Sequence, residues 1–447
     1  MQPRPSQAVQ RQDHLFQARL DQQLNLQHPL VLLAQRVDWE FFEREFGTLY
    51  VADVGRPGIP TRLLVGLHYL KHAYHESDES VVARWVENPY WQYFCGYEFL
   101  QHALPCHPTA LVKWRQRLQS DGIEKLLQEL LTTALRTGAL DERELAQVNV
   151  DTTVQEKAIA FPTDARLYHK ARVAVVREAK KAGVPLRQSY ARVGKKALFK
   201  QQCYARARQA KRAEKEKKKL HNYLGRVLRD VERKREKPSE KLKELLARAQ
   251  RIYTQKKEDK QKVYSVHAPE VECIAKGKAH KKYEFGCKTA IATTSKSNWI
   301  VATQAVHGNP YDGATLKSTI DQMERLTGKR PQEATCDRGY RGSEHHPTDV
   351  KVHLVGQHKA RGTLKKLFQR RSAIEPVISH EKHDHGLGRN HLKGQEGDRI
   401  NALLAGCGFN LRKLLRAFSF ALRTWLSRLL FKHCTCGWRS RGVLTIA

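Results

Sequence analysis

Residues Lys170 to Lys262 restrict most what this chain can fold into. They hold about 32 Lys+Arg against about 10 Asp+Glu, too much charge of one sign to enter a core unpaired. The segment must therefore stand outside whatever globular body the rest builds. Its apolar residues fall into two helical stripes. Leu220, Tyr223, Leu224, Val227, Leu228 and Val231 form the first, and Leu242, Leu245, Leu246, Ala249, Ile252 and Tyr253 the second. Pro238 and Ser239 separate them, with Ser239 placed to cap the second helix. The pattern predicts two antiparallel helices joined along their stripes, with basic outer faces. Such an arm could be a solvated spacer, but its one-sided charge suits contact with phosphates better.

Over all 447 residues, 80 Lys+Arg against 46 Asp+Glu leave +34, and about two thirds of that excess lies in the arm. The partner implied is a polyanion. Nine cysteines without a repeating spacing do not suggest a disulfide framework. The polar start, Met1 to Gln23, lacks an apolar signal core. The stretch from Ala417 to Phe431 is cut by Arg423 and Arg428, short of the roughly 18 apolar residues that a membrane span requires. Nucleic acid in a cytoplasm is the partner and setting expected, with no membrane. No GxxxxGK[ST] loop occurs, so nucleotide hydrolysis is not indicated.

The flanks of the arm differ in kind. After a polar tail (1–27), residues 28–140 are helical, with Leu63, Leu64, Leu67 and Leu70 on one helix and Leu126, Leu127, Leu130 and Leu131 on another. Turn signals separate these helices: Gly55 to Gly58, Glu87-Asn88-Pro89 and His107-Pro108. The last opens a helix carrying Lys113, Trp114, Arg115 and Arg117. Short helices ending in a basic one are compatible with a DNA-reading or dimerising unit.

From Leu145 to Thr153 apolar and polar residues alternate, which predicts a strand holding Asp151. Residues 145–169 thus begin a second domain, the arm (170–262) interrupts it, and 263–431 complete it, followed by a tail (432–447). Tyr283–Thr294 and Trp299–Val306 read as a hairpin, Ala314–Leu326 as a helix ended by Gly328, and Glu333–Asp337 and Val350–Val355 as strands. The fold class expected is α/β, a mixed sheet covered by helices.

Three acids stand out. Asp151 lies within an apolar strand, where an uncompensated carboxylate is costly. Asp337 precedes Arg338-Gly339-Tyr340-Arg341-Gly342, whose cations and ring could hold a phosphate or stack on a base. Glu375 follows Arg371 by four residues and precedes Lys382 by seven, so the three share a face if one helix runs through them. Singly, each acid could be a turn, a cap or a solvated side chain. Together they suit a centre of two divalent ions for phosphodiester chemistry, since hard ions take carboxylate oxygens. Cys434 and Cys436 beside His433 have the wrong spacing for zinc. His345-His346 and His383-Asp384-His385 read as surface or phosphate-contacting groups.

With these residues in view, the chain resembles DDE transposases of bacterial insertion sequences, closest to the insertion-sequence-five family. Leu63 to Gly96 is similar to that family's helical N-terminal domain, Val150-Asp151-Thr152-Thr153 to its first catalytic strand, and Cys336 to Gly342 to its second acid and turn. Gly388 to Leu415 resembles its C-terminal helices. The family's acid helix spaces Tyr, Arg, Glu and Lys as Phe368, Arg371, Glu375 and Lys382 are spaced here, with Phe368 in place of the Tyr. The resemblance implies an RNase H-like catalytic domain in which Asp151, Asp337 and Glu375 hold Mg²⁺, or Mn²⁺ in its stead. It implies double-stranded DNA as substrate, at transposon ends and target, with Arg371 and Lys382 near the phosphates and Arg338, Tyr340, Arg341 and Phe368 on the DNA side. It also implies a homodimer in the synaptic complex. The 186 residues between the aspartates, against 38 from Asp337 to Glu375, place the extra material between the first two acids.

Overall fold

A computed structural model describes residues 18–50, 58–234, 239–260, 262–275, 282–356 and 361–436, with side chains as far as 419. The elements are α1 (Leu20–Gln23), α2 (Pro29–Arg36), α3 (Trp39–Gly47), α4 (Thr61–Ala73), α5 (Asp78–Glu87), α6 (Pro89–Phe94) and α7 (Thr109–Arg136), then β1 (Gln147–Glu156). The arm follows as α8 (Asp164–Lys181), α9 (Ala191–Arg206), α10 (Ala210–Lys234) and α11 (Glu240–Thr254). After it come β2 (Glu272–Ala275), β3 (Tyr283–Thr294), β4 (Ile300–Val306), α12 (Leu316–Thr327), β5 (Glu333–Cys336), β6 (Lys351–Leu354), α13 (Gly362–Arg371), α14 (Ile374–Asp384) and α15 (Gly394–Cys436).

The chain is thus mixed α/β, and β1 is central. It pairs antiparallel with β3 from Val148↔Thr294 to Glu156↔Gly286, and parallel with β5 from Gln147↔Glu333 to Asn149↔Thr335. Both β2 and β4 pair with the other edge of β3, and β6 extends the sheet in parallel beyond β5. Gly286 permits a close approach of β3 to the end of β1, because a Cβ there would lie 1.8 Å from the Gln155 carbonyl oxygen.

The change of pattern at 140–145 marks a change of element type, not a division of the core. One buried cluster runs from Leu30, Phe42, Leu67 and Trp85 through Leu126 and Leu130 to Val148, Val150, Trp299, Leu316, Leu404 and Leu411. The helical segment buries its apolar stripe against α15 and α12, which in turn pack on the sheet, and so a layered fold satisfies each amphipathic face. The helix carrying the expected basic residues is not all surface. Arg115 is 3% exposed and forms a bidentate pair with Asp78 at 2.9 and 2.6 Å, and Lys71 joins it at 2.6 Å. Trp114 is buried too, so of the four named residues only Lys113 and Arg117 face solvent. Arg115 also donates to Nε2 of His68, whose Nδ1 meets the Leu64 carbonyl. That fixes a neutral ring, in keeping with burial driving its pKa down to about 3.

The arm is larger than expected. Its two predicted helices exist, and Ser239 Oγ accepts from Leu242 N as a cap, while Pro238 lies outside the described residues. However, the two stripes do not simply close on each other. Leu167, Ala171, Val175 and Ala179 of α8 complete a cluster with Leu224, Val227, Val231, Leu242, Leu246 and Ile252, closed below by Val263 and Val266. A third contact, of Ala165, Ala197 and Leu220, brings in α9. The arm is therefore a four-helix body with its own core, starting at Asp164.

Candidate functional site

The parallel register explains how acids 186 residues apart meet. Asn149 stands opposite Thr335, and two steps further along each strand are Asp151 and Asp337. Equal steps keep both on one face, since strand side chains alternate. Asp337 directly follows the C-terminal end of β5, and Asp151 lies at the middle of β1, just past its parallel pairing with β5. Helices α13 and α14 cover that face, where Asn149 Nδ2 donates to the Arg370 carbonyl.

Both aspartates are fixed by backbone amides. Asp151 Oδ1 accepts from Thr152 N at 2.8 Å and Asp337 Oδ1 from Gly339 N at 2.8 Å. Their second oxygens turn to a single guanidinium: Arg371 Nη2 lies 2.8 Å from Asp151 Oδ2 and 3.8 Å from Asp337 Oδ2, and Nη1 lies 3.3 Å from Glu375 Oε1. Three carboxylates around one planar group lie within roughly 10 Å of one another, a span that two ions about 3.5 to 4 Å apart can share. Exposure rises from Asp151 (15%) through Asp337 (41%) to Glu375 (66%), so the set opens outward from a buried root. The donors are all hard oxygens, and three carboxylates exceed the charge of one guanidinium, so the residues fit a divalent ion. Burial beside Asp337 and Asp151 pushes the Cys336 thiol up, which keeps it neutral.

Several expected site residues stand elsewhere. Arg371, Glu375 and Lys382 do not share one continuous helix: α13 ends at Arg371 and α14 starts at Ile374. Pro376 accounts for the break, because a proline lacks its N–H and its ring meets the carbonyl four residues back, here that of Ser372. Arg371 and Glu375 still touch across the break. Lys382 instead lines a cleft of about 1300 Å³ between α14–α15 and α4, α5 and α7, with Arg389, His391 and Lys393. Tyr340 is a correction: it is fully buried in the main cluster and cannot stack on a base. Arg338 is exposed but reaches back to the carbonyls of Val355 and Gly356 at 3.4 Å. Arg341 is exposed and Phe368 half-buried on α13. His385, expected at the surface, is buried and exchanges contacts with His72, each ring Nδ1 meeting the other's carbonyl. The side chains of His433, Cys434 and Cys436 lie outside the described set.

Two neighbours escaped the sequence reading. Arg370 clamps the α13 end to the hairpin turn through the carbonyls of Ser295 (2.9 Å) and Lys296 and the Asn298 side chain. Asp312, in the turn before α12, accepts from Thr152 Oγ1 at 2.9 Å and Lys288 Nζ at 2.8 Å. A Cβ on Gly339 would lie 2.8 Å from Asp337 Oδ1 and 3.1 Å from Asp312 Oδ2, so only glycine fits between these carboxylates. Nothing in the sequence around Asp312 distinguishes it from an ordinary turn acid.

Residues 18–117 match a family described as a transposase domain (DUF772), and residues 331–415 match a transposase DDE domain. The second range holds Asp337, Arg371, Glu375 and Lys382, while Asp151 lies in neither. The chain is 52% identical over 206 residues to the uncharacterized protein ORF8 in the nfe locus of Rhizobium meliloti, a segment covering 46% of this chain and 99% of that one. No solved structure matches. Among the described residues no helix is long and apolar enough to cross a membrane.

Proposed function

The chain belongs to the DDE transposase family, and on that premise we propose that it binds the terminal inverted repeats of its own insertion sequence, cuts the DNA there, and joins the freed 3′-hydroxyls to target DNA. One observation carries the reading: carboxylates from β1, the turn after β5 and α14 meet on one guanidinium. The catalytic unit is read as RNase H-like, supported by an order in which antiparallel β4, β3 and β1 are followed by parallel β5 and β6. Membership of the insertion-sequence-five family, a dimer that handles two ends at once, and a cytoplasmic setting belong to the same proposal.

In this reading Asp151 and Asp337 hold Mg²⁺ and Glu375 completes the set. A bound divalent ion supplies an activated nucleophile and stabilises charge on the departing oxygen. The backbone amides on Oδ1 of each aspartate keep Oδ2 pointed inward, so the oxygens are oriented before substrate arrives. Arg371 holds the carboxylates together and is released to turn its fork on a DNA phosphate once their charge is otherwise met. Lys382, Arg338 and Arg341 add cations along the DNA path, with Lys113 and Arg117 on the N-terminal side. The exposed cations of the arm provide a further, sequence-independent hold on the backbone.

The test is Mg²⁺- or Mn²⁺-dependent cleavage of DNA carrying the element's ends, wild type beside Asp151→Ala, Asp337→Ala and Glu375→Ala. Each change should abolish cleavage and leave DNA binding intact. Cleavage surviving all three would sink the assignment, and binding without cleavage by the wild type would make the protein a repressor of its element.

A further inference from the structure

A second group of ligand-type side chains gathers where β2, β3, the end of β4 and the start of α15 meet. Cys287, His307 and Asp398 each offer one ligand atom, and these lie within 4.8 Å of one another. Cys287 is wholly buried and Asp398 2% exposed. Neither buried ring nitrogen of His307 has a hydrogen-bond partner. Such orphaned atoms call for an explanation, and an ion is one of the recognised ones.

The surroundings are divided as a metal site divides them. Asp398 Oδ1 takes Lys157 Nζ at 2.7 Å and Asn390 Nδ2 at 2.6 Å, which leaves Oδ2 facing His307 Nε2 at 3.7 Å. On the other side of the ring, Nδ1 faces Glu272 Oε1 at 3.6 Å, and that oxygen is held by Gly308 N at 2.6 Å. Both ring separations are too long for hydrogen bonds. The 3.7 Å gap is close to the distance of about 3.3 to 3.6 Å between neighbouring ligands around one tetrahedral zinc ion. A carboxylate on the far nitrogen is how a ligating histidine is commonly oriented. The charge is also unbalanced. Lys157 Nζ is shared by two buried carboxylates, Asp398 at 2.7 Å and Glu270 at 3.0 Å. A buried negative excess is costly unless a cation offsets it.

We infer that Cys287, His307 and Asp398 form a zinc site, with Glu272 orienting His307 through Nδ1 and water completing the tetrahedron. The mixed sulfur, nitrogen and oxygen set suits borderline-soft Zn²⁺ and is unlike the all-oxygen set of the acids. Binding deprotonates the Cys287 thiol, whose proton leaves to solvent. The ion joins β3, the β4 end and α15 and so fixes one end of the sheet to its covering helix.

The test strips the full chain with a chelator and titrates it with Co²⁺, then with Zn²⁺. Cobalt should produce a thiolate-to-metal charge-transfer band in the near ultraviolet, one equivalent at saturation, removed by Zn²⁺. The band should persist in Asp151→Ala, whose oxygen site has no thiolate to give one, and in the double variant Cys434→Ser/Cys436→Ser. It should vanish in Cys287→Ser. Glu272→Gln should keep the band and weaken cobalt affinity roughly 10- to 100-fold, as loss of an orienting partner does. That variant keeps the cysteine and decides the matter if Cys287→Ser fails to fold. No band in the wild type would overturn the site, as would a band that survives Cys287→Ser and is lost with the tail cysteines. An unchanged affinity in Glu272→Gln would overturn the site as assigned, since His307 would then not be a ligand held through Nδ1.

Discussion

Glu381 lies six residues beyond Glu375 on α14, on the face shared by Val377, and its side chain is wholly buried. Neither carboxyl oxygen has a hydrogen-bond partner. Burial, opposed weakly by Lys382, pushes its pKa up from 4.5 to about 8. In the unfolded chain this acid releases its proton near 4.5, whereas in the folded chain it retains it to about 8. Between these values the folded state binds the extra proton, so this contribution to stability is full at low pH, falls as pH rises, and is gone above about 8. The gap corresponds to on the order of 5 kcal/mol between the two limits. Replacing Glu381 with Gln retains the shape and removes the titration. Calorimetric unfolding midpoints of wild type and Glu381→Gln should therefore diverge with pH, the variant being the more stable near pH 9 and losing that advantage near pH 5. Other titrating groups are common to both proteins and cancel in the difference. A difference that stays constant across this range would show that Glu381 is not held neutral, and the reasoning would fail.

The remaining predictions concern charge and packing. Mg²⁺ at a hundredfold over its dissociation constant should stabilise the chain by about 2.7 kcal/mol, measured as a shift in unfolding temperature, and Asp151→Asn should remove that shift. Arg115→Met leaves the half-buried Asp78 carboxylate with Lys71 alone and should cost about 3 kcal/mol in urea unfolding, the low end for a broken buried pair. It should not change the salt dependence of DNA binding, whereas Lys113→Ala and Arg117→Ala should each lower the slope by about one. Gly408→Ala would place a Cβ 2.6 Å from the His72 carbonyl oxygen, so α15 must shift from α4 at about 1 to 3 kcal/mol, read from the same unfolding curves. Removing residues 164–266 should weaken DNA binding and flatten its salt dependence more than any other cut of equal length; an unchanged slope would make the arm a spacer.

Locally encoded features were legible in the sequence. The β1 alternation, the glycine turn after Asp337 and the cap at Ser239 each depend on a few adjacent residues. The arm's first two helices were hidden because α8 buries mainly small residues, Ala165, Ala171 and Ala179, among many cations, which blurs a hydrophobic period. The break at Ser372 was legible in principle from Pro376, but the spacing of Arg371, Glu375 and Lys382 reads as one helix when that proline is overlooked. Tyr340 and Arg115 look like surface groups in sequence, and only tertiary packing decides that one enters the core and the other pairs with Asp78. Asp312 had no local signal, since its nearness to Asp337 depends on how α12 docks on the sheet.

The pairing of Glu156 with Gly286 spans about 130 residues of sequence, and most of them are the arm. During synthesis β1 leaves the ribosome on the order of ten seconds before β3 exists to receive it. The arm can fold in that interval on its own core, which brings the two strand ends together and lowers the entropy of closing so long a loop. Meanwhile β1 is a valine-rich strand with both edges bare, the kind of segment that associates with copies of itself. Asp151 at its middle is a charge that discourages such stacking. The same carboxylate proposed for catalysis thus guards the nascent chain while its partner strand is still unmade.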